Sequence, residues 1–281
     1  MSAPLISIVM PAFKCRETLA ESVQSVLTQT YSQWELVISI DDGEDYERLL
    51  GLAGLKDPRI RFTSTGNVGT GSSNARNVGV DAARSNFIAV LDADDLFVPE
   101  KLEITAPLLA ENPLISTGLQ VTDAALNPLR QVGTRGTQRR LSADIYKATN
   151  ISMDSMILYD RARLPIEYDV NQPCLVDMDL IFKAFCHTAY CLHLPLPLHT
   201  YRKQAVSISN GPAAADKFAK MKRTLLARLE AGYYDFVEPD AAKQGFEDFL
   251  HTSLQTELEF ATQNSTSPHK LFEDLLESKL G

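Results

Sequence analysis

The chain has 281 residues, 44% hydrophobic and 22% charged, which suits one large α/β domain or a domain with a modest appendage. That composition excludes disordered, collagenous and disulfide-scaffold classes. Its 27 Lys and Arg stand against 36 Asp and Glu, a net charge of -9, so nucleic acid is excluded as the main partner. A phosphate-bearing ligand must be held locally, by a few basic groups, backbone amides or a metal ion.

Residues 5–10 read as a buried strand that is short, ends at Pro11 and has no basic region before it, so no signal peptide is expected. No run approaches the roughly 20 apolar residues of a membrane-spanning helix. Leu19, Val23, Val26 and Leu27 lie on one face of a helix. Residues 35–40 form a second strand that stops at Asp41-Asp42-Gly43, and a short helix is expected over 46–55. Residues 59–62 are a third strand, 73–83 a helix, and 87–91 a strand running into Asp92-Ala93-Asp94-Asp95. This rhythm predicts an α/β fold, a mostly parallel sheet covered by helices on both faces. Ligands of such sheets bind outside the strands' carboxyl ends. Both acidic clusters fall there.

Further along, 115–122 and 155–159 read as strands, 177–186 as an amphipathic helix and 196–202 as another strand. Gly211-Pro212-Ala213 changes the texture and marks a boundary, dividing the chain into 1–212 and a helical C-terminal extension, 213–281. Helices are expected over 216–232, 240–263 and 267–280. The aromatic run 233–236 is expected to pack between them. Cys15, Cys174, Cys186 and Cys191 form no C-x-x-C pair, so reduced thiols and a cytosolic or nuclear compartment are expected.

Three carboxylates within four positions, at the end of an apolar strand, repel one another unless a cation neutralises them. Oxygen ligands in this pattern suit Mg²⁺ or Mn²⁺ bridging to phosphates. The competing reading is a solvated turn that caps the next helix. The glycines of 66–71 could present amides to a phosphate at a helix start, with Arg76 one turn further on. They match neither a dinucleotide fingerprint nor a Walker loop. Asp41 either completes a turn or accepts hydrogen bonds from a nucleobase or ribose.

Taken in order, ISIVMPAF at 6–13, WELVISIDDG at 34–43, NVG at 67–69, ARNVG at 75–79 and LDADD at 91–95 resemble the family-two glycosyltransferases of the GT-A fold. The resemblance covers about the first hundred residues and implies a nucleotide-sugar half, 1–110, and an acceptor half, 111–212. It implies Pro11 and Phe13 beside the nucleotide, Asp41 on the base, Arg76 near base and diphosphate, Asp94 near the ribose and Asp95 on Mn²⁺ or Mg²⁺. Asp177 matches the family's catalytic base, with Val176 in place of the usual Glu and Asp179 nearby on the acceptor or diphosphate side. The Tyr201-Arg202 pair resembles a segment near the diphosphate; Gln204 stands where a metal-binding His is common, which leaves His199 as the alternative ligand. Asn150 and Ser152 to Ser155 match the acceptor region.

The family thus implies an inverting, metal-dependent enzyme that uses a nucleoside diphosphate sugar, commonly UDP-linked, and a saccharide or glycolipid acceptor. It also implies a cytoplasmic protein that can touch the inner face of the membrane, and the helical tail offers a homodimer surface. Two other classes compete: a sugar nucleotidyltransferase, which would carry a lysine-bearing glycine loop after the first strand, and a non-catalytic nucleotide-sugar-binding scaffold.

Overall fold

The structure is a computed structural model that describes residues 3–149, 157–203, 214–264 and 272–280. A mixed sheet forms its centre, built on β1 (Ile6–Ala12), β2 (Trp34–Ile40), β3 (Ile60–Ser64) and β4 (Phe87–Val90). Four further main strands are β5 (Leu96–Phe97), β6 (Leu114–Thr122), β9 (Ile157–Asp160) and β10 (Cys191–Arg202), and the order is β3-β2-β1-β4-β9-β6-β10-β5. The short strands β7 (Pro128–Val132) and β8 (Arg139–Leu141) pair with β6 and β10. β1 is parallel to β2 and β4, while β9 is antiparallel to both of its neighbours.

Period-two alternation sorts the apolar strand residues into two cores. Ile6, Ile8 and Met10 of β1, with Ala89 of β4, face one helical layer; Val9, Ile88 and Val90 face the other. The first layer holds α1 (Leu19–Leu27), α2 (Tyr46–Leu52) and α4 (Lys101–Thr105). α3 (Ser72–Ala82), α5 (Ala143–Thr149) and α6 (Val176–Phe185) belong to the second. So do α7 (Ala214–Glu230), α8 (Pro239–Asn264) and α9 (Phe272–Glu277). The helices after residue 213 therefore close one face of the core: Phe246 of α8 stacks within 4.2 Å of Phe182 on α6, with Tyr234 and Phe236 in the same cluster. Tyr233, by contrast, is exposed.

Where the expected elements lie within the described residues, they recur within a few residues of their expected ends; of the helix expected over 267–280, residues 267–271 lie outside the described residues and Phe272–Glu277 is α9. β10 begins earlier than expected, because Pro195 and Pro197 interrupt its pattern and its pairing with β6 shifts register around Pro197. Of the strand expected over 155–159, residues 155–156 lie outside the described residues and the rest is β9. β5, β7, β8 and α5 were not expected, being too short to show a period, while α4 is the helix expected after the acidic turn.

Two helix glycines sit where a β-carbon would collide. At Gly79 of α3 it would lie 2.4 Å from a methyl of Val9; at Gly245 of α8 it would lie 2.2 Å from the backbone of Asp144 on α5. In an exposed helix, Gly→Ala stabilises by about 1 kcal/mol. Here the sign reverses. Gly245→Ala must push two helices apart and is expected to cost about 3 kcal/mol, whereas Gly79→Ala meets a side chain and costs about 1–2 kcal/mol. Urea unfolding midpoints of the two variants check both the sign and the order.

Candidate active site

The strand order reverses between β1 and β4, so the crevice beyond their carboxyl ends is the binding position of an open α/β sheet. Pro11 is the penultimate residue of β1, and Phe13 follows with 44% of its surface exposed. Lys14, at φ 51°, turns the chain there, and its amide is held by Asp42, which also accepts from the Tyr46 hydroxyl at 2.7 Å. Asp42 thus fastens the Phe13 turn to α2.

Asp41 fastens the opposite wall. Its buried carboxylate accepts from the Thr70 amide (3.0 Å) and hydroxyl (2.6 Å), the Gly71 amide (3.0 Å) and the Thr65 hydroxyl (2.8 Å). Burial alone would raise its pKa, but these hydrogen bonds outweigh it and hold the carboxyl below its usual range. Gly71 has φ 101° and ψ 157°, a region open essentially to glycine alone, and there its amide meets Asp41. The sequence suggested that these loop amides bind a phosphate. In this geometry the anion they hold is Asp41.

The three acidic side chains after β4 have three different environments. Asp92 is half-buried and pairs with Arg76 of α3 at 2.7 Å. Asp94 is also half-buried, and burial with the nearby Asp92 charge raises its pKa to about 6, despite the opposing pull of Arg202 and Arg76. Asp95 has no exposed surface; one oxygen accepts from the Arg202 amide (2.9 Å) and the other lies 2.9 Å from His199 Nε2. Burial keeps the His199 pKa well below its usual value, so the neutral ring donates to Asp95. A histidine that donates to a carboxylate through one nitrogen cannot use that nitrogen to share a metal with it. Asp95 and His199, both expected on a cation, are here buried without exposed surface and hydrogen-bonded to each other.

Arg202 keeps its backbone on Asp95 while its guanidinium pairs with Glu21 and acts on Asp94. Asp177 lies in the first turn of α6, where its own amide and that of Met178 favour its charge. Burial raises its pKa, and the charges of Lys147 and Arg76 oppose that rise. Arg76 thereby acts on Asp92, Asp94 and Asp177 together, and its guanidinium lies 5.4 Å from the Tyr168 ring. Asn77 clamps the Tyr168 backbone through both side-chain atoms, at 2.8 and 2.9 Å. Lys147 is fully buried, with a pKa lowered to about 8 by desolvation against the pull of Asp177. Neither Tyr168 nor Lys147 was found by sequence reasoning: one lies in an aperiodic segment, the other on an unexpected helix.

Asp179 requires a correction. It was expected on the acceptor or diphosphate side, yet it has no exposed surface and is held by Lys183 (2.7 Å), Tyr234 (2.6 Å) and Arg228 (3.1 Å). Only Met178 separates it from Asp177, but two positions on a helix turn the side chain by about 200°, into the core. Asn150, Ser152 to Ser155 and Gln204 lie outside the described residues. Among the described residues no group of three or more His, Cys, Asp or Glu could hold a metal, and no helix is long and apolar enough to cross a membrane.

Residues 7–164 match the profile of the family described as "Glycosyl transferase family 2". Relatives include the Escherichia coli protein named UDP-Glc:alpha-D-GlcNAc-diphosphoundecaprenol beta-1,3-glucosyltransferase WfgD, 38% identical over 108 residues, which cover 38% of this chain and 42% of that one. Chondroitin synthase of E. coli is 39% identical over 103 residues, covering 36% of this chain and 15% of the synthase. The match thus spans less than half the length of either relative. In fold, the chain resembles residues 1–349 of S. aureus TarS solved with UDP-GlcNAc, at a TM-score of 0.71 and 15% identity, covering 98% of this chain and 79% of that one.

The Asp94 carboxyl, raised from 3.8 to about 6, gives a stability prediction with a definite sign. Between those values the folded chain keeps a proton that the unfolded chain has lost, so this group's contribution declines as pH rises and is fully unfavourable above the folded value. Asp94→Asn is therefore expected to raise the melting temperature at about pH 7.5 and leave it nearly unchanged at about pH 3.5, where both forms are uncharged. Equal melting temperatures of variant and wild type at the higher pH would contradict the assigned environment.

Proposed function

The chain belongs to glycosyl transferase family 2, and on that premise we propose that it is an inverting glycosyltransferase acting on a UDP-linked sugar and a saccharide or glycolipid hydroxyl. One observation carries the reading: Arg76 links the carboxylates beyond β4 with Asp177, joining a diphosphate-handling cluster to a candidate base. The UDP donor is supported by the names of the relatives, one a UDP-Glc transferase and one solved with UDP-GlcNAc. A lipid-linked acceptor, taken up at a membrane surface, is supported by the name of the first.

The nucleoside would lie in the crevice against Pro11 and the exposed Phe13 ring. Asp41 would serve the base chiefly by holding the loop that ends at Gly71, since its oxygens are already engaged. Arg76 and Arg202 would lie beside the diphosphate. Asp92 and Asp94 fit a divalent cation: they are partly exposed, adjacent in space and mutually repelling, a strain that a cation relieves. When bound, Mn²⁺ or Mg²⁺ would neutralise charge on the leaving diphosphate.

The acceptor oxygen would attack the anomeric carbon opposite the diphosphate. Its proton passes to Asp177 as the bond between that carbon and the phosphate oxygen breaks, and UDP leaves with the electron pair. A base needs a pKa that is neither too low nor out of reach of the working pH. Burial lifts Asp177 toward that range, and Lys147, Arg76 and the helix amides keep it ionisable.

A thermal-shift panel of UDP, GDP, dTDP and CDP, each with and without Mn²⁺, tests the donor class. UDP with Mn²⁺ is expected to stabilise selectively, by about 2.7 kcal/mol at a hundredfold excess over Kd. Asp94→Ala should abolish that increment, whereas Asp95→Asn should lower the starting melting temperature and keep it. The same loss in both variants would return Asp95 to the metal site. Asp177→Asn should reduce transfer by roughly 10²–10⁴ while changing UDP affinity by no more than about twofold, read from turnover and titration calorimetry. Retained turnover would remove Asp177 from the base role.

A further inference from the structure

The helix that carries Asp177 starts from an unusual backbone. Leu175, its N-cap, has φ 55° without being glycine, and no side chain caps the helix there. Such a conformation persists only where its surroundings impose it, and it recurs at functional sites. Here the imposing group is Gln172, whose Nε2 donates to the carbonyls of Cys174 (3.0 Å) and Leu175 (2.7 Å). The Leu175 carbonyl also accepts from the Asp179 amide at 3.2 Å, the contact that opens the helix.

Gln172 is itself oriented from outside the turn. Its Oε1 accepts from Arg228 of α7 at 3.1 Å, so its oxygen faces a cation and its nitrogen faces two carbonyls. The other guanidinium nitrogen of Arg228 meets Asp169 at 3.1 Å, and Asp169 also accepts from the Asn171 amide at 2.9 Å. Arg228 thus grips the start and the middle of the 169–175 turn. It touches Asp179 Oδ1 too, at 3.1 Å, but that oxygen also accepts from Tyr234 at 2.6 Å, and Lys183 supplies a counter-charge 2.7 Å from the other oxygen. Neutralising Asp179 therefore does not account for Arg228, whereas its contacts to Gln172 and Asp169 are with the turn alone. Partly buried ion networks seldom stabilise more than apolar packing would, so net stability is weak grounds for this one.

We infer that Arg228 is a positioning residue for Asp177: acting through Gln172, it holds the left-handed Leu175 turn that aims the base helix. The helical tail is then part of the catalytic apparatus without touching substrate. The inference rests on Asp177 as the base.

The test uses the full chain with UDP-glucose and UDP-GlcNAc, with UDP release as turnover and UDP binding by calorimetry. Arg228→Met is expected to lower kcat by about 10²-fold, the scale of an ångström-sized misplacement, with donor KM and UDP affinity nearly unchanged. Gln172→Leu cuts the same tie from its other end and should give the same split, and the double variant should be no worse than either single one. It also replaces Arg228→Met should that variant not fold. Tyr234→Phe, which removes a hydrogen bond to Asp179 but leaves the turn gripped, should keep kcat within about threefold. Wild-type kcat in Arg228→Met, additive losses in the double variant, or a loss of UDP affinity in step with kcat would each overturn the inference. Asp177→Asn, run alongside, separates the two levels: its retained turnover overturns the base reading itself, whatever Arg228 does.

Discussion

Carboxylates crowded at the end of one buried strand are the constraint around which this molecule is arranged. Three negative charges within four residues cannot share one low-dielectric environment, and the fold gives each a different solution. Asp92 takes Arg76, Asp95 is buried with His199 and the Arg202 amide, and Asp94 remains partly exposed with its proton held more tightly than usual. These solutions draw in α3, β10 and the far sheet edge. The lysine at 101, buried beneath Asp95 with its pKa lowered to about 7 by desolvation, extends the same balance into the core. Asp92 and Asp94 keep exposed surface, whereas Asp95, the most buried of the three, keeps none.

The opposite wall follows a parallel logic. Asp41 and Asp42 close β2 and each ties down one loop, the glycine loop and the Phe13 turn. A carboxylate that looks like a ligand-binding group in isolation is here the internal counterpart of backbone amides that look like a phosphate cradle. The two halves of the pattern satisfy each other. Their shared effect is that both loops at the crevice rim are tied to the end of β2.

The two parts of the chain are joined by contact as well as by sequence. From Arg76 the path runs over Tyr168, through the adjacent Asp169 to Arg228, and from there to Gln172 and the turn before Asp177. The tail helices that hold Arg228 also bury Phe246 and Leu250 against α6. Tail and site are therefore mechanically continuous.

The sequence by itself determined the sheet, because period-two and helical spacings reflect burial that each segment experiences locally: β1 to β4 and α1 to α3 lie where those spacings put them. It also determined that acidic groups stand at strand carboxyl ends, since position along a strand is a local property. What it left open was which acidic groups remain available. Asp41, Asp95 and Asp179 look as chemically free in the chain as Asp92, Asp94 and Asp177, and only tertiary contacts separate them: loop amides for Asp41, His199 for Asp95, Lys183 and Tyr234 for Asp179. Those partners stand from 4 to 104 positions away, and which carboxylate each one finds is decided by packing. Pairing and desolvation together set whether a carboxylate is a structural anion or a reactive one, and both are properties of the folded environment.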